Sequence, residues 1–225
     1  MKLVIKIGGS LAFTDFGPNK NYLIKLIPVL RRIGKENQLI VGIGGGQFIR
    51  KYLKNVKNFV LTNEEIEWIF VDLLKTNVRL FSFLLNKKPI FDLGKITRKT
   101  SGVVGGIAPG RSTDANAALC AEKIKADLFI KLTNVAGIYD KDPDRHKDAK
   151  KIDKISFGKL KKFNTKGMPC SYGILDKMAV NVITRSKIKT IVMNGRNPKN
   201  IFNTLKGKIK DASALLMTYP DTFAA

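Results

Sequence analysis

The chain has 225 residues, 44% of them hydrophobic, and 41 Lys and Arg against 18 Asp and Glu give it a formal charge of +23. That length and apolar content can bury one sizeable core, so a single domain over residues 1–225 is expected. Two cysteines, Cys120 and Cys170, lack CxxC or histidine-ligand spacing, which excludes a disulfide framework and a structural metal site and fits a reducing compartment.

No apolar run reaches the ~18 residues of a membrane span, and the charged stretch 1–7 is no signal peptide, so the chain is expected in the cytoplasm. The lysines run from Lys2 to Lys210 without gathering into a block. They read as a solvated basic surface whose field also draws nucleotide anions, and nucleic acid is not the expected partner.

Taken in chain order, Leu3–Ile7 is a short β-branched run that reads as a buried strand, and it leads into the glycine turn of KIGGS, Lys6 to Ser10. Residues 21–37 carry Leu23, Leu26, Ile27, Leu30 and Ile33 on one helical face, with Pro28 as an expected kink. Leu39–Ile43 is a second strand, followed by the glycine triplet of IGGGQFIRK. Thr62 with Glu65 forms a capping box that opens a helix through about Leu85, with Ile66, Ile69, Phe70, Leu73 and Leu74 facing the core and Trp68 packed.

Further along, Pro89–Asp92 reads as a strand and 96–113 as a glycine-rich loop feeding a helix over Asp114–Lys125, with Ala117, Ala118, Ala121 and Ile124 turned inward. Asp127–Leu132 and Thr190–Met193 are further strands, while the charged stretch 140–154 and the basic stretch 159–169 are exposed connections. Short buried strands alternating with amphipathic helices imply an α/β fold, a mainly parallel sheet covered by helices.

Glycine turns directly after strands let successive N–H groups point at an anion where a helix begins. Neither GxGxxG nor GxxxxGK[ST] is present, so neither a dinucleotide fingerprint nor a P-loop is read. Lys6 beside the first turn can offset charge that develops on a phosphoryl group in flight, and Arg50, one helical turn past the second, can grip phosphate oxygens. A third loop, VGGIAPGRSTDANAA over 104–118, sets Arg111, Ser112, Thr113 and Asp114 at a helix start, where a second phosphate or an N-cap would use them.

These segments, in this order, resemble the amino acid kinase superfamily and, within it, the archaeal-type uridylate (UMP) kinases. PGRSTDANAALCAEKIKADLF and TNVAGIYDKDP look like that group's PGxTTDAxAALLAExLKADL and TNVDGVYxxDP, and LDKMAVNVITRSKIKTI over 175–191 is similar to its DPLAAKIIARSGIKTI. The resemblance implies a three-layer αβα sandwich around a mainly parallel sheet, and transfer of the ATP γ-phosphate to UMP with Mg²⁺ accompanying the ATP. It also implies a homo-oligomer, a hexamer of dimers paired through the first long helices.

By position, the resemblance gives Gly9, Ser10, Gly46 and Arg50 to the ATP phosphates, and Thr133, Tyr139 and Asp142 to the adenosine end. Gly45 and the loop Ile107, Ala108, Pro109, Gly110, Arg111, Ser112 and Thr113 would hold UMP, with Glu67 where the group has an aspartate that bonds the ribose. Lys6 would stabilise the transferring charge, Lys131 would join it at the phosphates, and Asp176 would orient the lysines. No residue is assigned to a protein-held metal.

Glu67 is one methylene longer than the usual aspartate, Phe70 replaces a common glycine, Ala136 replaces the aspartate of TNVDG, and no GT stands near 213–216. These departures keep open an acceptor other than UMP. Isopentenyl phosphate kinases share the fold but place a histidine just after the glycine triplet, where this chain has none. A catalytically inactive nucleic-acid-binding or regulatory protein is the remaining alternative, favoured by the charge and opposed by the absence of aromatic stacking clusters.

Overall fold

The computed structural model describes residues 1–134, 138–139, 146–152, 154–156, 158, 175–207 and 215–218. Alternation of side chains along the first strand sets the layout. In β1 (Lys2–Ile7), Leu3, Ile5 and Ile7 point into one apolar cluster, while Val4 points into the other. The first cluster packs against α2 (Lys20–Glu36), α4 (Asn63–Leu85) and α7 (Asn200–Leu205), and the second against α5 (Thr113–Ile124) and α6 (Lys177–Ser186). Helices on both faces of one sheet make the expected three layers.

Among the described residues the main sheet has the order β10-β12-β11-β7-β1-β4-β6-β5. Its parallel part joins β1 to β4 (Gln38–Ile43) and to β7 (Leu128–Thr133), β4 to β6 (Gly102–Val104), β6 to β5 (Pro89–Ile90) and β7 to β11 (Thr190–Asn194). At the far edge β12 (Leu215–Thr218) runs antiparallel to β11 and pairs in parallel with β10 (Lys154–Ser156). Apart from it, the described residues hold two small antiparallel pairs, β2 (Phe13–Thr14) with β3 (Gly17–Pro18) and β8 (Ile138–Tyr139) with β9 (Lys151–Ile152). No helix among the described residues is long and apolar enough to cross a membrane.

Where the sequence pattern and the structure differ, a local cause is visible. The helix from Lys20 runs through Pro28 to Glu36 without interruption; the ring removes one N–H, and the carbonyl it frees belongs to Ile24, which faces solvent. The strand expected over Pro89–Asp92 stops at Ile90, because Asp92 turns its Oδ1 onto the Gly94 N–H at 2.7 Å. In α4 the capping box is present, yet the buried face starts at Val71 and continues through Leu74, Val78 and Phe81. Ile66, Ile69, Phe70 and Leu73 are half-buried, and Trp68 is 44% exposed with the Lys75 ammonium 5.8 Å from its ring centre. Strand β6, three residues long, lies inside the stretch expected to be a loop, β9 lies inside the expected connection 140–154, and β10 begins at its last residue.

Cys120 is buried in the second cluster, and burial pushes its thiol up to about 12; Cys170 and the stretch 159–169 lie outside the described residues. Among the described residues three helices end on non-glycine residues in the left-handed region, Asn86 after α4 (φ 51°), Lys125 after α5 (φ 52°) and Lys187 after α6 (φ 53°).

Two glycines in the same conformation separate strain from crowding. Gly46 has φ +75° and a Cβ there would stand 2.6 Å from the Phe13 Cβ, whereas Gly110 has φ +74° with nothing within 4 Å. Gly110→Ala should cost about 1–2 kcal/mol of left-handed strain, or a few degrees in Tm. Gly46→Ala should lower Tm distinctly further, since backbone must also move. Equal losses in parallel thermal melts would show that the turn at Gly46 has room to relax.

Candidate active site

Parallel strands end together, so the turns that follow β1, β4, β6 and β7 gather at one edge of the sheet. The two glycine turns read from the sequence meet there in direct contact: a Cβ on Gly9 would lie 2.2 Å from the Gly46 nitrogen and 2.8 Å from its Cα. Only glycine at both positions allows this approach. Gly9 opens the one-turn helix α1 (Gly9–Ala12), Gly45 is the N-cap of α3 (Gly46–Val56), and Ser10 is exposed beside them. Asn77 of α4 donates to the Gly44 carbonyl at 3.3 Å and ties the second turn to that helix.

Under these turns lies a buried charge cluster. Lys6 and Lys131 are register partners on β1 and β7, so both side chains leave the sheet on the same face. Lys6 is 2% exposed and Lys131 4%. Gly42, Lys6's partner on the other side, makes the space: a Cβ there would press on the Lys6 Cδ at 2.8 Å and the Ala117 Cβ at 2.9 Å. Asp114, in the first turn of α5, closes the cluster, its Oδ1 3.0 Å from the Lys6 Nζ and 2.5 Å from the Lys131 Nζ, with Oδ2 2.6 Å from the latter. Lys6 also donates to the Ile7 carbonyl at 3.2 Å.

Burial alone would raise the Asp114 carboxyl, but the charges of Lys6 and Lys131 outweigh it and hold it at about 2. Burial first, and then the Lys6 charge, bring Lys131 down to about 8, with Asp114 pulling the other way. One carboxylate facing two ammonium groups leaves net positive charge at the sheet edge, a shape suited to an anion that brings its own negative charge.

The third loop builds a pocket of ≈340 Å³ lined by Glu67, Phe70 and Val71 of α4 and by residues 108–112. Ile107 packs against the second cluster and Thr113 begins α5. Glu67 accepts a hydrogen bond from the Gly110 N–H at 2.8 Å. Ser112 caps α5 through the Ala115 N–H at 2.9 Å and donates to Asp176. At the other side of β1, Thr133 ends β7 and its carbonyl accepts from the Gly195 N–H at 2.8 Å.

The geometry amends the sequence reading in one respect. Asp176 does not hold the lysines: it is the N-cap of α6, accepting from the Met178 and Ala179 N–H groups at 2.8 and 3.0 Å and from Ser112. Asp114 holds them, since the first turn of α5 sits directly over the Lys6 and Lys131 side chains. The sequence carried the signal, two strands each ending in a lysine followed by an apolar residue and a turn, and an acidic residue at a helix start facing them. Arg50 stands exposed on α3. Asp142, Ala136 and the Tyr139 side chain lie outside the described residues.

Apposed glycine turns at helix starts and a buried lysine pair at the carboxyl edge of an α/β sheet define a phosphate-handling enzyme. A sequence profile described as the amino acid kinase family matches residues 99–194. The chain is 32% identical to the uridylate kinase of Thermococcus sibiricus over 220 residues, 93% of this chain and 97% of that one, and 33% identical to that of Sulfurisphaera tokodaii over 219 residues, 92% and 96% of the two. It superposes on the crystal structure of uridylate kinase from Archaeoglobus fulgidus with a TM-score of 0.82, 31% identity and coverage of 97% and 100%. The chain belongs to the amino acid kinase family, in its uridylate kinase group.

Removing the Asp114 carboxylate leaves two buried ammonium groups facing each other. Asp114→Asn should therefore destabilise the protein by about 3–5 kcal/mol in urea unfolding, the scale for breaking a buried ion pair. Because the native carboxyl sits at about 2 against an ordinary 3.8, its contribution is complete above the ordinary value and disappears as pH falls through about 2. The wild-type advantage over Asp114→Asn should shrink between pH 4 and 2, and an advantage independent of pH there would refute a charge origin.

Proposed function

We propose that the protein is an ATP:UMP phosphotransferase that forms UDP. The observation that carries the reading is the Lys6–Asp114–Lys131 cluster: only Ile7 separates Lys6 from the Gly8–Gly9 turn, and only Thr113 separates Asp114 from the pocket loop 108–112. The likeness to uridylate kinases over more than nine-tenths of the chain supports the acceptor. In this reading Gly9, Ser10, Gly46 and Arg50 receive the ATP phosphates, and Thr133, Tyr139 and Asp142 the adenosine end. UMP lies on Gly45 and the loop from Ile107 to Thr113.

Phosphoryl transfer asks little covalent chemistry of the protein; placement and charge supply most of the acceleration. Lys6 and Lys131 face the oxygens that gain charge in flight, and Asp114 keeps both ammonium groups aimed and prevents their repulsion from splaying them. Asp176 acts at one remove, by holding Ser112 at the rim of the acceptor pocket. Glu67 accepts from Gly110 through one oxygen and keeps the other for a ribose hydroxyl, which accommodates the extra methylene. Mg²⁺ arrives with ATP as part of the substrate: Asp114, the carboxylate at the lysine cluster among the described residues, is engaged by both lysines.

Assembly as a homo-oligomer, a hexamer by resemblance, fits Phe48, Tyr52, Phe59 and Trp68, large apolar residues that stand exposed along α3, α4 and their connection.

Assayed with MgATP against UMP, CMP, AMP and isopentenyl phosphate, the protein should prefer UMP; comparable turnover of another acceptor would reassign the substrate, and no turnover of any would leave a non-catalytic protein. Lys6→Ala should lower kcat by about 10²–10³ with little change in the UMP KM, the size typical of losing one donor that acts in the transition state. An unchanged kcat would pass that role to Lys131.

A further inference from the structure

Helix α5 lies close on the sheet because its buried face is made of small apolar residues, Ala115, Ala117, Ala118, Cys120 and Ala121. Asn116 interrupts that face. It is fully buried, it occupies the position that the PGxTTDAxAALLAE pattern leaves open, and packing alone would favour an apolar side chain there. Its Nδ2 donates to the Gly105 carbonyl at 2.9 Å, while its Oδ1 has no partner among the described residues. A buried amide that is only half satisfied gives little to the core. What it gives is a fixed point on Gly105, the first residue after β6.

From the opposite side α4 presses on the same point. A Cβ on Gly105 would stand 2.6 Å from the Val78 Cγ2, and one on Gly106 2.7 Å from the Leu74 Cδ1. The loop therefore leaves the sheet clamped between a helix that excludes side chains and an amide that holds its carbonyl. It returns to the same helix at Ser112, whose carbonyl accepts from the Asn116 N–H at 3.0 Å. Both ends of the loop 105–112 are thus fastened to a single turn of α5. Midway along that turn is Asp114, bound to Lys6 and Lys131.

We infer that Asn116 is a positioning residue for the phosphate acceptor: with Ser112 it closes the loop 105–112 onto the helical turn that carries Asp114, and so sets the distance from acceptor pocket to lysine pair. The inference rests on the reading of that loop as the UMP site. Its structural half, the clamping of the loop by the Asn116 amide, stands apart from the identity of the ligand.

Asn116→Leu keeps the number and branching of side-chain heavy atoms and removes the donor together with the orphan acceptor, and Asn116→Ala serves if the bulkier leucine variant does not fold. Hydrogen exchange should accelerate at least about tenfold at the loop amides 106–111 and remain unchanged in β1 and β4, because only the clamp is lost. Steady-state kinetics should show the UMP KM raised about tenfold or more, the ATP KM within about twofold, and Tm nearly unchanged. A fall in Tm with unaltered loop exchange and unaltered UMP KM would make Asn116 a core residue only and overturn the inference. Faster loop exchange with UMP and ATP KM values rising together would overturn the acceptor role. If the wild type turns over no UMP, the proposed activity fails by itself, and the exchange measurement still decides the clamp.

Discussion

Two lysines placed side by side on neighbouring parallel strands repel each other, and everything at the carboxyl edge of the sheet is arranged around that repulsion. Register makes it unavoidable, because partners in a parallel pair project to the same face. Asp114 resolves it, and it can reach only because α5 lies unusually near the strands. That nearness needs glycine at position 42 and alanines along the helix. The charge cluster is therefore a property of the packing layer and not of one loop, and changes in apolar residues of α5 will be felt at the lysine pair.

The same requirement for close approach recurs where Gly9 touches Gly46. There the chain omits side chains so that two backbones meet; under α5 it omits them so that a helix can descend. In both places a core position that appears merely small is a condition for chemistry, since backbone amides and ammonium groups reach an anion only if nothing bulkier intervenes.

Much of this was legible from residues alone. Strand and helix alternation followed from β-branched runs and amphipathic spacing, and the Thr62–Glu65 box placed the start of α4 correctly because capping is a local interaction. The two glycine turns were legible as the places where a backbone can be approached closely, and they do meet at Gly9 and Gly46. The sequence shows a lysine near the end of each of two strands and an acid at a helix start, but that the three meet depends on the β1–β7 register, 125 residues apart in the chain, and on how deeply α5 settles, and these packing properties are not written in any local pattern. Strand β6 escaped for a related reason: three residues carry no period, and its parallel neighbours alone make it a strand. Trp68 and the first turns of α4 misled, since an apolar helix face does not disclose at which residue its burial begins, here Val71.

The helix ends at Lys125 and Lys187 carry a further consequence. Each puts an ordinary side chain into backbone geometry that glycine adopts without strain, and each sets a cation against the negative end of a helix dipole, which offsets part of that strain. A glycine at these ends would relax the backbone and forfeit the charge. Some of the margin by which this fold exceeds its unfolded chain therefore resides in interactions that dissolved salt attenuates, on a scaffold that already bears +23. Ionic strength would then act on this protein twice with opposite sign, weakening its helix ends while quieting the mutual repulsion of its lysine-rich surface.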